Sequence, residues 1–574
     1  MGSSGKQRTG QDQTIAVAGM LGLTLSVGAA LWHHMTQTAG GEPLEFVFLI
    51  VMLAVLLPLT ALYALRARWS YAAGAIACIG FPASVVKAWL DNTLYLTAGL
   101  YNALVVVTLI VAVAVIVSSL RLLHKDPPVG WHAVTAIGGL AALATAVALI
   151  GNESAGRIAE VNARLVMQRM RRDLAELSTL EDRIAYVVAE GDLAGATVGI
   201  VVDDELVWTG AFGEGIAEDT TFNIGSIAKP VVATAVMQLV EQGRIDVEAD
   251  IDDYLPFSVR HPDYPDVPIT TEMLLTHQSC IAHHTPVYAA HMDRDAYLEW
   301  DAAKRGRSIY GEIVQTADHP DYGALIQGYL TPDGAYYTPD AWLSCAPGTQ
   351  YNYSSPAYDL LGYVVEQVSG QSLDVYLQEA VFSPLGMART GRLSEQPPFP
   401  QATPTERVYG VVSKANLAVP FYGSARVGGG GLYSTVPDMA AFLIAHLNQG
   451  QAADVQVLQP ETVALMHRPR VASSADLGME AYGYGWTHYQ DQPWQFWGTL
   501  FPFYGAAGHG GSDIGYRSRM FAVEKSEGGF GVVVLTSTTT YLKWDNLWYF
   551  SAPLQLEKLA MEEAQRLWEL EHQG

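Results

Sequence analysis

Five apolar stretches follow one another in the first quarter of the chain, roughly 14–32, 46–65, 71–90, 99–120 and 131–150. Each approaches the ~20 residues that a helix needs to cross a bilayer, and five in series fit neither a cleavable leader nor buried globular helices. The pattern predicts an all-α bundle of five transmembrane helices over 1–150. Basic residues near span ends are retained on the cytoplasmic side. Here they sit in the amino-terminal tail (Lys6, Arg8), the second loop (Arg66, Arg68) and the fourth (Arg121, Lys125), whereas the first and third loops have none. With five spans, the amino terminus is expected inside and everything after residue 150 outside. Lys87, the one charge within a span, lies near its outer end and reads as a snorkelling side chain.

Past residue 150 the pattern changes. Ile158, Val161, Leu165, Met167, Met170, Leu174 and Leu177 recur at helical spacing among charges, predicting a helical linker over 151–190. Residues 191–574 form the remaining domain. In it Ala196–Val202 and Leu206–Gly213 are short β-prone runs around an acidic turn, which predicts a hairpin. A helix is expected from Ser226 to Gln242, stopped by Gly243. Helical patterns over Pro356–Val368 and Val436–Leu447 alternate with strand patterns over Tyr516–Glu524 and Gly529–Thr536. The fold class is therefore α+β, and the charged amphipathic tail Leu554–Glu571 is expected to pack across the sheet.

Charge sharpens the division. The whole chain carries -25 while half its residues are hydrophobic. The first 150 residues hold seven basic and five acidic side chains, so the remainder stands near -27. So acidic a surface, with no basic stripe, excludes nucleic acid as a partner. Of three cysteines, Cys78 falls in an apolar run; Cys280 and Cys345 can pair only where the domain faces an oxidising compartment.

In Phe222-Asn223-Ile224-Gly225-Ser226-Ile227-Ala228-Lys229, serine and lysine lie one helical turn apart on one face. A serine hydroxyl is a poor nucleophile until a base removes its proton, and a lysine within hydrogen-bond reach is one such base. Read alone, Ser226 is equally an N-cap and Lys229 a surface residue; Ser3-Ser4-Gly5-Lys6 has the same spacing. His277, His283 and His284 lack the carboxylate or cysteine spacing of a metal site and read as structural or pocket residues.

Pro347-Gly348-Thr349-Gln350-Tyr351-Asn352-Tyr353-Ser354-Ser355-Pro356-Ala357-Tyr358-Asp359-Leu360-Leu361-Gly362 and Gly508-His509-Gly510-Gly511-Ser512 complete the set. Together with Ser226 and Lys229 they resemble the serine β-lactamase and penicillin-binding-protein-like family, particularly its class C branch. Leu274 to Ser279, Gly429 to Asp438 and Tyr482 to Trp486 resemble further landmarks of that family, although Cys280 stands where it has glycine. The resemblance runs from about 180 to 540 and implies an antiparallel sheet flanked by helices, plus a helical subdomain.

What it implies for chemistry is specific. Ser226 attacks a carbonyl, Lys229 and Tyr353 share its proton, and Tyr353 protonates the leaving group. The oxyanion sits on the N–H groups of Ser226 and Ser512, Gly510 and Gly511 let the strand approach the substrate, and no metal or organic cofactor is needed. Ser355 replaces the usual asparagine of the second motif. His509 replaces the lysine of K-T-G, which resembles D-aminopeptidase-like and esterase-like members. The expectation is a membrane-anchored extracytoplasmic peptidase or amidohydrolase acting on a peptide or acyl-peptide at the bilayer. Esterase, β-lactamase and a penicillin-binding-like sensor that turns over slowly are the alternatives.

Overall fold

The computed structural model describes residues 172–574 apart from 284–289, 293–294, 296–298, 301–321, 393–396, 410–413, 425–427, 453, 473–478, 490–493, 497–498, 502–504, 527, 541–551 and 573–574. The five apolar stretches and most of the linker lie outside the described residues. Among the described residues no helix is long and apolar enough to cross a membrane. The chain divides into two compact units, and the one described holds Arg169–Tyr409, Lys414–Leu542 and Leu547–Gly574.

The linker's helical pattern is broken before the domain. Thr179 caps a fresh helix, α1 (Leu180–Glu190), by accepting from the Asp182 N–H at 3.1 Å. Its Ile184, Val187 and Val188 are buried against the sheet, so these turns share the domain's packing. The hairpin follows as β1 (Ala196–Val202) and β2 (Glu205–Phe212). After α2 (Ala228–Glu241), α3 (Ser355–Ser369) and α4 (Val436–Leu447) come β3 (Val471–Ala472), β4 (Met479–Tyr482) and β5 (Thr487–Tyr489). The long strands β6 (Ala506–Asp513), β7 (Tyr516–Glu524) and β8 (Gly529–Thr536) and the helix α5 (Ala552–Glu571) end the domain.

These strands form one eight-stranded sheet in the order β3-β4-β5-β6-β7-β8-β1-β2. All its neighbours run antiparallel. β1 and β8 pair from Ala196↔Thr536 to Val202↔Phe530, so the two ends of the domain meet within the sheet, one strand in from its β2 edge. Both strands are buried throughout, which explains why they read as continuous apolar runs. Successive side chains point to opposite faces. Phe530, Val532 and Val534 join Ala196, Val198 and Ile200 under α1 and α5, whereas Val533 and Leu535 face the main core. The acidic tail thus packs across the sheet as expected, through Leu556, Leu559, Ala560, Met561 and Ala564.

α2 fills the main core. Every residue from Ala228 to Leu239 is buried, the pattern of a helix enclosed on all sides. Gly243, at φ +67°, supplies the left-handed turn that follows it. On the same side a disulfide joins Cys280 to Cys345, 65 positions apart with Cα atoms 5.9 Å apart.

Candidate active site

The nucleophile turn is built before the helix begins. Phe222 and Asn223 pair with Ser434 and Tyr433, and the chain then reverses through Gly225 at φ +52°. Asn223 is fully buried and holds this turn from both ends. Its Oδ1 accepts from the Gly225 N–H at 2.8 Å, while its Nδ2 donates to Asp513 Oδ2 at 3.0 Å and Tyr422 Oη at 3.2 Å. Tyr422 in turn donates to the Ile514 carbonyl at 2.8 Å. The turn is thereby fastened to the end of β6.

Only glycine fits there. A Cβ on Gly225 would stand 2.7 Å from the Ser512 nitrogen, and one on Gly511 2.0 Å from the Ile224 carbonyl. The third motif therefore lies directly against the nucleophile turn. The space beside Gly510 is taken by the Arg519 guanidinium, 2.6 Å from where its Cβ would be. Of the three glycines of β6, Gly511 makes room for the turn and Gly510 for the Arg519 side chain.

Ser226 is half-buried within a 3-10 turn, Gly225–Ile227, and α2 has no side-chain N-cap. Its hydroxyl faces Lys229 instead. Lys229 Nζ, fully buried, lies 2.9 Å from Ser226 Oγ, 3.0 Å from Ser355 Oγ and 2.8 Å from the Gly429 carbonyl. The hydroxyl that stands in place of the usual asparagine is thus a direct partner of the lysine. Gly429 is itself fixed, since its N–H donates to Asp359 Oδ1 at 2.7 Å. Its missing side chain makes room for Ser355, whose carbonyl would be 2.6 Å from a Cβ.

Tyr353 precedes α3, whose cap is Ser354. Lys229 Nζ lies 4.8 Å from the centre of its ring. The His277 ring is 4.5 Å from it, His283 5.2 Å and His509 6.1 Å. His283 Nδ1 accepts from the Ser355 N–H at 3.3 Å; His284 lies outside the described residues.

His509 is buried, and its hydrogen bonds define its state. Nδ1 lies 2.6 Å from the Gly510 carbonyl, so it carries the proton, and Nε2 accepts from the Tyr482 hydroxyl at 3.1 Å. Burial, then the Lys229 ammonium, push its pKa down to about 3. At neutral pH it presents no charge. Ser226, Lys229, Ser355 and Tyr353 are thus gathered around one ammonium group, with β6 alongside. Sequence reasoning gave no role to Asn223, Asp359 or the Gly429 carbonyl. Asn223 and Asp359 stand within the two quoted motifs, so an uncharged or acidic polar residue inside an apolar motif is the signal that marks them.

Residues 180–550 match the family model described as Beta-lactamase. With this arrangement of serine and lysine on this fold, the chain belongs to the beta-lactamase family of serine hydrolases. Its relatives differ in what their names say they do. Penicillin-binding protein 4 of Amycolatopsis lactamdurans is 27% identical over 361 residues, 58% of this chain and 80% of that protein. Esterase EstB of Burkholderia gladioli is 28% identical over 346 residues, 55% of this chain and 79% of the esterase. The octameric penicillin-binding protein homologue from Pyrococcus abyssi superposes with a TM-score of 0.50 at 22% identity, covering 67% of this chain and 77% of that one, which is a likeness of fold.

Proposed function

We propose that the chain is a membrane-anchored hydrolase of the class C-like branch whose catalytic domain, outside the cytoplasm, acylates Ser226 with a peptide or acyl-peptide. The observation that carries this reading is the 2.9 Å contact between Ser226 Oγ and the buried Lys229 Nζ. Once its ammonium gives up a proton, Lys229 keeps donating to the Gly429 carbonyl and Ser355 Oγ and turns its lone pair to the Ser226 hydroxyl. The Ser226 oxygen then attacks the carbonyl carbon while its proton passes to Lys229, which relays one on to Tyr353. Tyr353 delivers that proton to the leaving nitrogen as the carbon–nitrogen bond breaks. Water attacks the acyl-enzyme by the reverse transfer, releasing the acid and restoring Ser226. The N–H groups of Ser226 and Ser512 receive the oxyanion, each worth about 3 kcal/mol.

The neutral His509 supports a substrate with no carboxylate at the third motif. A K-T-G lysine accompanies β-lactam recognition in the family that the motifs resemble, and this chain offers no cation in its place. An esterase is the second reading, favoured by the similarity to EstB. The five apolar stretches, the alternation of basic loops and a disulfide that persists in oxidising compartments support anchoring with the domain outside.

The test is incubation of the detergent-purified full chain, and of Ser226→Ala, with a D-amino-acid peptide, an aryl ester and a penicillin, followed by product analysis and peptide mass. Turnover of the peptide through a transient adduct on Ser226, absent in Ser226→Ala at unchanged thermal unfolding, is expected. Turnover of the ester alone makes it an esterase. A lasting penicillin adduct without turnover makes it a sensor, and equal activity of Ser226→Ala ends the proposal.

A further inference from the structure

His277 stands out because one buried residue grips the chain on both sides of Tyr353. Its carbonyl accepts from the Asn352 N–H at 2.7 Å. Its Nδ1 accepts from the Ser354 N–H at 3.1 Å. Its ring lies 4.5 Å from the Tyr353 ring, tilted by 48°. Across from it, Lys229 Nζ lies over the same tyrosine at 4.8 Å. We propose that His277 is a positioning residue for Tyr353, holding the phenol against Lys229 by fixing the backbone before and after it and packing its ring.

Two observations set His277 apart from an ordinary core histidine. It adopts φ +59°, a left-handed conformation that costs a non-glycine residue about 1 kcal/mol or more and persists where its surroundings impose it. Its Nε2 is also buried without a hydrogen-bond partner. Since Ser354 donates to Nδ1, the proton is on Nε2, and that N–H lies among the rings of Tyr353, Tyr358 and Tyr482, whose centres are 4.5, 5.1 and 4.6 Å from the imidazole. An unpaired buried donor costs roughly 1–3 kcal/mol. Packing alone would be served by a residue without that N–H. The imidazole stays neutral: burial first, then Lys229, hold its pKa well below the usual histidine range. It therefore neither competes with Lys229 for a proton nor adds a charge beside it.

The proposal rests on the reading that Tyr353 takes part in activating Ser226, and a double-mutant cycle separates the two. The readout is the second-order rate at which a fluorophosphonate labels Ser226 in the detergent-purified full chain. That probe needs no native substrate: the Ser226 oxygen forms a bond to phosphorus, fluoride leaves, and the serine proton goes to the base. Tyr353→Phe is expected to slow labelling about 100-fold. His277→Gly accepts the left-handed backbone but removes ring and acceptor, and is expected to slow it about tenfold. His277→Asn keeps the backbone conformation and offers an acceptor to Ser354, and is expected to slow it only about threefold. On the Tyr353→Phe background, each His277 change is expected to alter the rate by less than about twofold, because the hydroxyl that it positions is gone. Should His277→Gly not fold, the cycle stands on His277→Asn. Wild-type labelling by the folded His277 variants, or the same loss on the Tyr353→Phe background as on wild type, overturns the proposal. Wild-type labelling by Tyr353→Phe instead overturns the role of Tyr353 itself.

Discussion

A histidine withdrawn from water resists a second proton, because burial penalises the charged ring. His509 is such a residue, and His488, pushed down to about 4 by burial and by His467, is another. In the unfolded chain both return to the ordinary histidine value near 6.5. Between that pH and about 4 for His488 or about 3 for His509, the unfolded chain binds protons that the native state does not. Stability therefore rises with pH through this window and is complete above about 6.5, with a slope of about 1.4 kcal/mol per pH unit for each histidine. Urea unfolding at pH 5 and pH 7 is expected to show the lower stability at pH 5. His488→Gln should flatten that difference by about one histidine's share. At this scale much of the site was legible: Ser226 and Lys229 are one turn apart, so their meeting follows from helix geometry alone. The grip of His277 on Tyr353 was not, because it joins positions 75 or more residues apart.

Among the elements, the loop behind the second motif is the least ordinary. Cys280, at φ +59°, occupies a left-handed position where the resembled motif has glycine, and its bond to Cys345 closes a loop of 65 residues. Loop-closure entropy makes that bond worth about 4 kcal/mol. Cys345 also sits seven positions before Asn352, whose Nδ2 lies 3.5 Å from its sulfur, so the bond tethers the segment that carries Tyr353. Cys280→Ala/Cys345→Ser is expected to unfold at lower denaturant by roughly that amount. Cys280→Gly/Cys345→Ser should recover about 1 kcal/mol of the loss, since glycine adopts the left-handed conformation freely; chemical denaturation of the two pairs measures the difference. The strands Tyr516–Glu524 and Gly529–Thr536 and the helices α3 and α4 were legible to within a residue or two, because their periodicity is local. The break before α1 was not, since a threonine cap is only visible once the helix it starts is known to pack.

For the whole molecule, the sequence divides charge and hydropathy so sharply at residue 150 that two environments are implied. The expected topology puts residues 172–574 outside the cytoplasm. Protease added to intact cells is expected to remove the acidic domain while leaving the amino-terminal tail protected behind the membrane; digestion of the tail with the domain intact would reverse the assignment. The order of strands was not legible, because an apolar run says that a strand is buried and nothing about which strand lies beside it.

That order has a consequence for how the protein is made. Ala194 donates to Thr538, 344 positions away, at the seam where β1 meets β8. The β1–β2 hairpin cannot join the sheet until the ribosome has delivered nearly all of the domain. At ~5–20 residues per second, β1 waits between about 17 and 70 seconds for its partner. Until β6 is made, the turn carrying Ser226, already synthesised, has no strand to rest on. The hydrolase is therefore inert until translation of its sheet is complete.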